Sequence, residues 1–188
     1  MQRQLKAIVE SLDAAQRRVR ALGDGLSADD WKRRPAPDHW SAADCVEHLN
    51  LTTKAFLPLI RDALASARED GPTSVSRYRR DALGWFMSLM IGPMRRLGPV
   101  RIARVKTTPP FTPKGKQSRE RLLSEFVALQ ADLVTLVRAA DGLPIDQVKI
   151  VSPFGGRMKY NTYSAMTIIA RHEHRHLQQA EEAALSRQ

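Results

Sequence analysis

The chain has a single cysteine, Cys45, among its 188 residues. An intrachain disulfide is therefore excluded, and a reducing cytoplasm is the expected compartment. Cys45 falls on the apolar side of an expected helix, where a buried inert thiol is favoured over a nucleophile. No apolar run approaches the ~18–20 residues that a membrane-spanning helix needs. The start also lacks the charged, apolar and small-residue succession of a secretory signal. Internal repeats and low-complexity segments are missing as well. The length suits one domain, residues 1–188, with a proper core.

Acidic residues are scarce in one place only. The net charge is +10, and residues 76–121 hold twelve Lys/Arg against two Asp/Glu, leaving eighteen of each sign elsewhere. The excess is thus a local patch on a balanced domain. It lacks interleaved aromatics for base stacking and accompanies no recognition motif, so a nucleic-acid partner is not expected. An anionic small molecule or a membrane headgroup suits it better.

Helical periodicity accounts for most of what is present. Leu5, Ile8, Val9, Leu12, Ala15, Val19 and Leu22 recur at helical spacing, and Gly23 and Gly25 are expected to end that first helix. Ser27 to Trp31 can form a short turn, closed by Pro35 and Pro37. Ser41 and Asp44 have the spacing of a capping box, so the second helix runs from Ser41 to near Arg68. A third opens at Ser118, carries Leu122 to Val137, and ends at Gly142-Leu143-Pro144. A fourth, capped by Asn161 or Thr162, continues to near Leu185. The expected fold is all-α: a four-helix bundle with a long helix 2–helix 3 connection, which allows a parallel neighbouring pair.

Residues 76–117 of that connection are basic and rich in Met and Pro. Trp85, Phe86, Leu89, Met90, Ile91 and Met94 make an apolar piece, helical as far as Ile91. A cap across the bundle end is favoured over a helix on an anionic membrane surface, and any exposed apolar remainder suggests a homodimer. Residues 98–117 read as an extended, mobile connection, and residues 148–160 as a short extended loop.

Three of the five histidines fall in one stretch, ARHEHRHLQQA at residues 170–180. On a helix His172 and His176 are an i, i+4 pair sharing a face with Ala165 and Ile169, while His174 points roughly opposite. Two neutral imidazoles so placed can reach one divalent ion. The pair alone is weak evidence, because helical histidines are often polar surface or hydrogen-bonded core. A third ligand decides. His39 precedes the second helix in a proline-bounded loop, whereas His48 lies in its second turn, on an inward face with Asp44, Thr52, Ala55 and Leu59. The expected ligands are therefore His48, His172 and His176. Asp44 either orients His48 or serves only as helix cap, and both readings stay open. Glu173 lies at the edge of the metal face, a poor position for a base. Arg175 and Gln179 flank the pair, where structural anchoring is expected of both. No catalytic residue is assigned.

Trp40, Ser41, Asp44, His48 and Leu49 spell W-S-x-x-D-x-x-x-H-L, and His172, Arg175, His176, Leu177 and Gln179 spell H-x-x-R-H-L-x-Q. With the S-P-F-G-G and K-Y segments before the last helix, the chain resembles the DinB-like (DinB/YfiT) superfamily of metal-binding helix bundles. The resemblance implies a metal triad at His48, His172 and His176, with zinc, nickel or manganese as the divalent ion. It implies a metal-dependent enzyme of thiol S-transferase or hydrolase type, since characterised relatives transfer low-molecular-weight thiols such as bacillithiol or mycothiol. The expected partner is then a small-molecule thiol or anionic substrate. The competing expectation is a non-enzymatic metal-binding or stress-response module that meets an anionic partner through residues 76–121.

Overall fold

The structure, a computed structural model, describes residues 1–71, 77–92 and 107–186. Its helices are α1 (Arg3–Gly25), α2 (Ala28–Lys32), α3 (Ala42–Glu69), α4 (Ala82–Ile91), α5 (Arg119–Ala139) and α6 (Thr162–Leu185). A 3₁₀ turn at Pro109–Phe111 precedes α5, and strands β1 (Lys149–Val151) and β2 (Lys159–Asn161) precede α6. The all-α expectation holds, with the four long helices α1, α3, α5 and α6 forming the bundle.

Local chemistry sets the helix ends. The Ser41 hydroxyl accepts from the Asp44 N–H at 3.1 Å, and the Asp44 carboxylate accepts from the Ser41 N–H at 3.0 Å. That reciprocal pair is the capping box read from the sequence. Ser118 and Asn161 cap α5 and α6 by accepting from the N–H groups of Arg121 and Ser164. Along α1, the stripe from Leu5 to Leu22 is buried at every predicted position.

Helices α1 and α3 each pack against both α5 and α6. Thus α1 faces α3 across one diagonal, and α5 faces α6 across the other. One apolar cluster joins the start of α1, the second half of α3, the end of α5 and the first half of α6. A second joins the end of α1, the start of α3, the start of α5 and the end of α6. It follows that α3 and α5 run parallel as neighbours, the arrangement that the long connection permits.

Helix α1 ends at Gly25 as expected, and Gly23 just inside it has a second part: a Cβ there would sit 2.5 Å from Leu123 Cδ1, so the missing side chain lets α1 approach α5. Two expectations change. Residues 148–160 contain an antiparallel hairpin, with Lys149 opposite Asn161, Ile150 opposite Tyr160 and Val151 opposite Lys159. Ile150 and Tyr160 face the core, and Gly155 and Gly156 turn the chain with φ of 101° and 73°. Residues 107–117 include a 3₁₀ turn at Pro109–Phe111 in place of a wholly extended connection, and they lie against α3. Buried Phe111 anchors them, and the Gly115 N–H donates to Glu47 Oε2 at 2.9 Å. The rest of that predicted connection, residues 98–106, and Met94 of the apolar piece lie outside the described residues. Among the described residues no helix is long and apolar enough to cross a membrane.

Candidate metal centre

The polar residues of the interior lie largely between the two apolar clusters, where α3 and α6 cross antiparallel. His48 comes from the second turn of α3, and His172 and His176 from the middle of α6. Their ligand-capable nitrogens all lie within 4.8 Å of one another. The ring centroids are 5.1 Å apart for His48 and His172, and 4.5 Å for each pair that includes His176. His48 and His172 are buried, whereas His176 is half-buried and gives the cluster a side toward solvent.

Hydrogen bonds fix which nitrogen each ring presents. His48 Nδ1 lies 2.7 Å from the Phe111 carbonyl, which can only accept, so this nitrogen carries the proton. His176 Nδ1 lies 3.1 Å from Gln179 Oε1 and donates in the same way. Both rings therefore keep a lone pair on Nε2. His48 Nε2 and His172 Nε2 stand 3.2 Å apart, and the buried His172 Nδ1 has no hydrogen-bond partner among the described residues. Two nitrogens each ~2.0–2.1 Å from one ion, at an angle of roughly 90–110°, are about 2.8–3.4 Å apart. The His48–His172 pair has that spacing, and the three-imidazole cluster as a whole is compatible with a divalent ion.

The protonation equilibria favour the ligand form. Burial pushes His48 down to about 4, against the opposing hydrogen bond to the Phe111 carbonyl. Burial likewise holds His172 well below the usual imidazole range, helped by His176, His48 and Arg175. His176 is lowered well below that range by burial, then by His48 and Arg175, with the Gln179 hydrogen bond opposing. Near pH 7 all three rings are neutral, so protons do not compete for the lone pairs.

The remaining predicted residues separate cleanly. Asp44 is committed to the cap and to Arg34, whose Nε donates to Oδ2 at 2.8 Å, so the part of orienting His48 falls to the Phe111 carbonyl. Glu173 is fully buried and its Oε1 accepts from Gln130 Nε2 of α5 at 2.6 Å. Burial pushes its carboxyl up to about 8, against that hydrogen bond. Arg175 anchors the end of α4 by donating to the Met90 carbonyl at 2.8 Å. His39 lies in its loop, 2.9 Å from Asp38 Oδ1. Cys45 is fully buried, and burial followed by the Asp44 charge pushes its thiol up, which leaves it inert as expected.

Aromatic walls around the cluster escaped the sequence reading. Trp40 lies 4.8 Å from His48 and 5.6 Å from His176, centroid to centroid, and Phe154 of the hairpin lies 5.3 Å from His172. Both residues stood inside quoted motifs, but nothing in their spacing tied them to the histidines.

Comparison with known families settles the relationship. The family model of the DinB superfamily matches residues 11–180, an extent that includes His48, His172 and His176. The chain belongs to the DinB superfamily. Both ends of the DinB match fall within α1 and α6, so it takes in every element that builds the cluster. No curated protein and no solved structure matches this DinB chain.

Proposed function

We propose that His48, His172 and His176 hold one divalent ion, and that this DinB protein is an enzyme of thiol S-transferase or hydrolase type. The observation that carries the proposal is three neutral imidazoles converging within 4.8 Å, two of them with Nε2 left free by hydrogen bonds at Nδ1. Imidazole donors suit a first-row transition metal, zinc or nickel and less tightly manganese, over magnesium or calcium. When bound by three ligands, such an ion supplies Lewis acidity that makes a thiol or a water a nucleophile at neutral pH.

The chain's own residues do the rest. The Phe111 carbonyl and Gln179 Oε1 hold the His48 and His176 rings in one tautomer and one orientation. Trp40 and Phe154 flank the His48 and His172 rings at tilted angles and limit their movement. The half-buried His176 marks the side from which a small thiol or anionic substrate approaches. Glu173 is bonded to Gln130 and stands outside the cluster, so no proton transfer is assigned to it.

The test uses tag-free protein. Elemental analysis is expected to give one equivalent of a transition metal, and the loaded protein is expected to turn over a low-molecular-weight thiol with an electrophilic acceptor or to hydrolyse an ester or amide. Metal at one equivalent without turnover on either substrate class would leave a binding module in place of an enzyme. Absence of stoichiometric metal would overturn the ligand set itself.

A further inference from the structure

Helix α4 is apolar almost all round, yet among the described residues only one side of it is covered. Gly84 and Ser88 are buried toward α6, and a Cβ at Gly84 would lie 2.1 Å from Ser164 Oγ. On the other side Ala82, Trp85, Phe86 and Leu89, at i, i+3, i+4 and i+7, all face outward. The three large side chains are 54%, 51% and 59% exposed. A bundle helix ordinarily turns polar residues to water, so this stripe calls for an occupant.

The surroundings of the stripe are positive. Arg77, Arg79 and Arg80 are exposed just before α4, and with Trp85 and Tyr163 they line a hollow of about 620 Å³. The neighbouring acids are already engaged. Asp81 accepts from the N–H groups of Gly84 and Asn161 and from the Ser164 hydroxyl, each at 3.0 Å, and Asp146 accepts from the Arg79 N–H at 3.0 Å.

We infer that this face of α4 docks on an anionic lipid surface, with Trp85, Phe86 and Leu89 entering the acyl boundary and Arg77 and Arg79 meeting headgroup phosphates. Ten residues of helix span about 15 Å, half of a bilayer core, so α4 lies in the interface and does not cross it. Charge chooses between occupants. A second copy docked by two-fold symmetry on this face would bring a second set of the same arginines to the contact and no added acid to answer them. A purely apolar partner would leave the arginine-lined hollow without counter-charge. An anionic bilayer supplies an apolar layer and phosphates together, at the depths where tryptophan and arginine are each favoured. The inference stands apart from the metal reading, because none of these residues belongs to the histidine cluster.

Flotation of the full chain with vesicles tests it. Mixed phosphatidylglycerol–phosphatidylcholine vesicles are expected to carry the protein upward, phosphatidylcholine alone is not, and added salt weakens the partition. Trp85→Ser/Phe86→Ser/Leu89→Ser should lower the partition coefficient by about tenfold or more, and Arg77→Glu/Arg79→Glu should abolish the preference for the anionic lipid. All five side chains are exposed, so cooperative thermal melts should show that both variants still fold. In the unaltered chain, bromine-labelled lipids should quench tryptophan fluorescence, which needs no variant. Equal flotation of the triple-serine variant, or no flotation of the wild type, would overturn the inference. So would a wild-type dimer that the triple-serine change makes monomeric while vesicles bind neither.

Discussion

Helix α6 carries three histidines within five residues, and the bundle treats them in two ways. His174 spends both ring nitrogens on neighbours: Arg18 Nη1 donates to Nδ1 at 2.8 Å, and Nε2 donates to the Ser11 carbonyl at 3.0 Å. Its tautomer is fixed by a cation on one side, and no lone pair is left over. His172 and His176 face α3, where His48 meets them and acceptors engage only Nδ1 of His48 and His176. The same side chain is thus a structural tie on one face and keeps an uncommitted ring nitrogen on the other. What distinguishes the two is whether the partner at each nitrogen is a donor or an acceptor. Burial alone does not separate them, since it lowers all three.

The largest expected effect breaks the contrast outright. Replacing His48, His172 or His176 with Ala should weaken metal binding by more than about 100-fold, because removing a direct ligand exceeds the 10–100-fold typical of its supporting partners. His174→Ala should leave metal stoichiometry unchanged and lower stability by about 1 kcal/mol through its lost hydrogen bonds. Calorimetric titration of tag-free protein, beside a denaturant melt, separates the two outcomes. Loss of metal in His174→Ala alone would invert the assignment.

A smaller effect sharpens it. Gln179→Ala frees the His176 ring without removing a ligand, and should cost about tenfold in metal affinity with the stoichiometry kept at one. An unchanged affinity would show that packing against Trp40 is enough to hold that ring.

The smallest effect concerns Asp44, the residue with two possible roles. Burial raises its carboxyl, but the Arg34 and Ser41 hydrogen bonds and the Arg34 charge outweigh it and hold it below the ordinary carboxylate range. A depressed carboxyl contributes stability above the unfolded value of about 4, and this is lost as pH falls through the lower folded value. Asp44→Asn should therefore destabilise the protein at pH 7 by about 1 kcal/mol, with half-exposed Arg34 discounted for screening, and the gap should close in acid below about pH 4. Metal affinity should not change, because His48 is oriented by the Phe111 carbonyl. A loss of affinity in Asp44→Asn would restore its orienting role.

Much of this was legible before any coordinates. The apolar stripes and caps of α1, α3, α5 and α6 are local patterns, and the i, i+4 pair with an inward His48 follows from helix geometry. The support of the site was hidden for a physical reason. The partner of His48 is a backbone carbonyl, which every residue possesses and no side chain announces, and it arrives from Phe111 across 63 positions of sequence. The hairpin was legible in principle, as Lys-Ile-Val and Met-Lys-Tyr flank Pro-Phe-Gly-Gly, yet three-residue strands give too little alternation to outweigh a loop. The apolar run of α4 revealed a helix but not which side would stay uncovered, because that depends on where Gly84 lets α6 approach. Of the basic stretch 76–121, read from charge alone, Arg95, Arg96, Arg101, Arg104 and Lys106 lie outside the described residues.

The parallel placement of α3 and α5 sets an order of events during synthesis. Asn50 on α3 donates to the Leu122 carbonyl at the start of α5, a closure over 72 residues, and His48 meets His172 only across 124. Chain closure over such spans is slow and comes after local helix formation. A nascent chain that ends before α6 holds one imidazole of the cluster, too few to retain an ion against cellular buffers. An ion held by all three imidazoles would therefore bind only the finished fold, and by mass action would favour the docked last helix over any form that has released it.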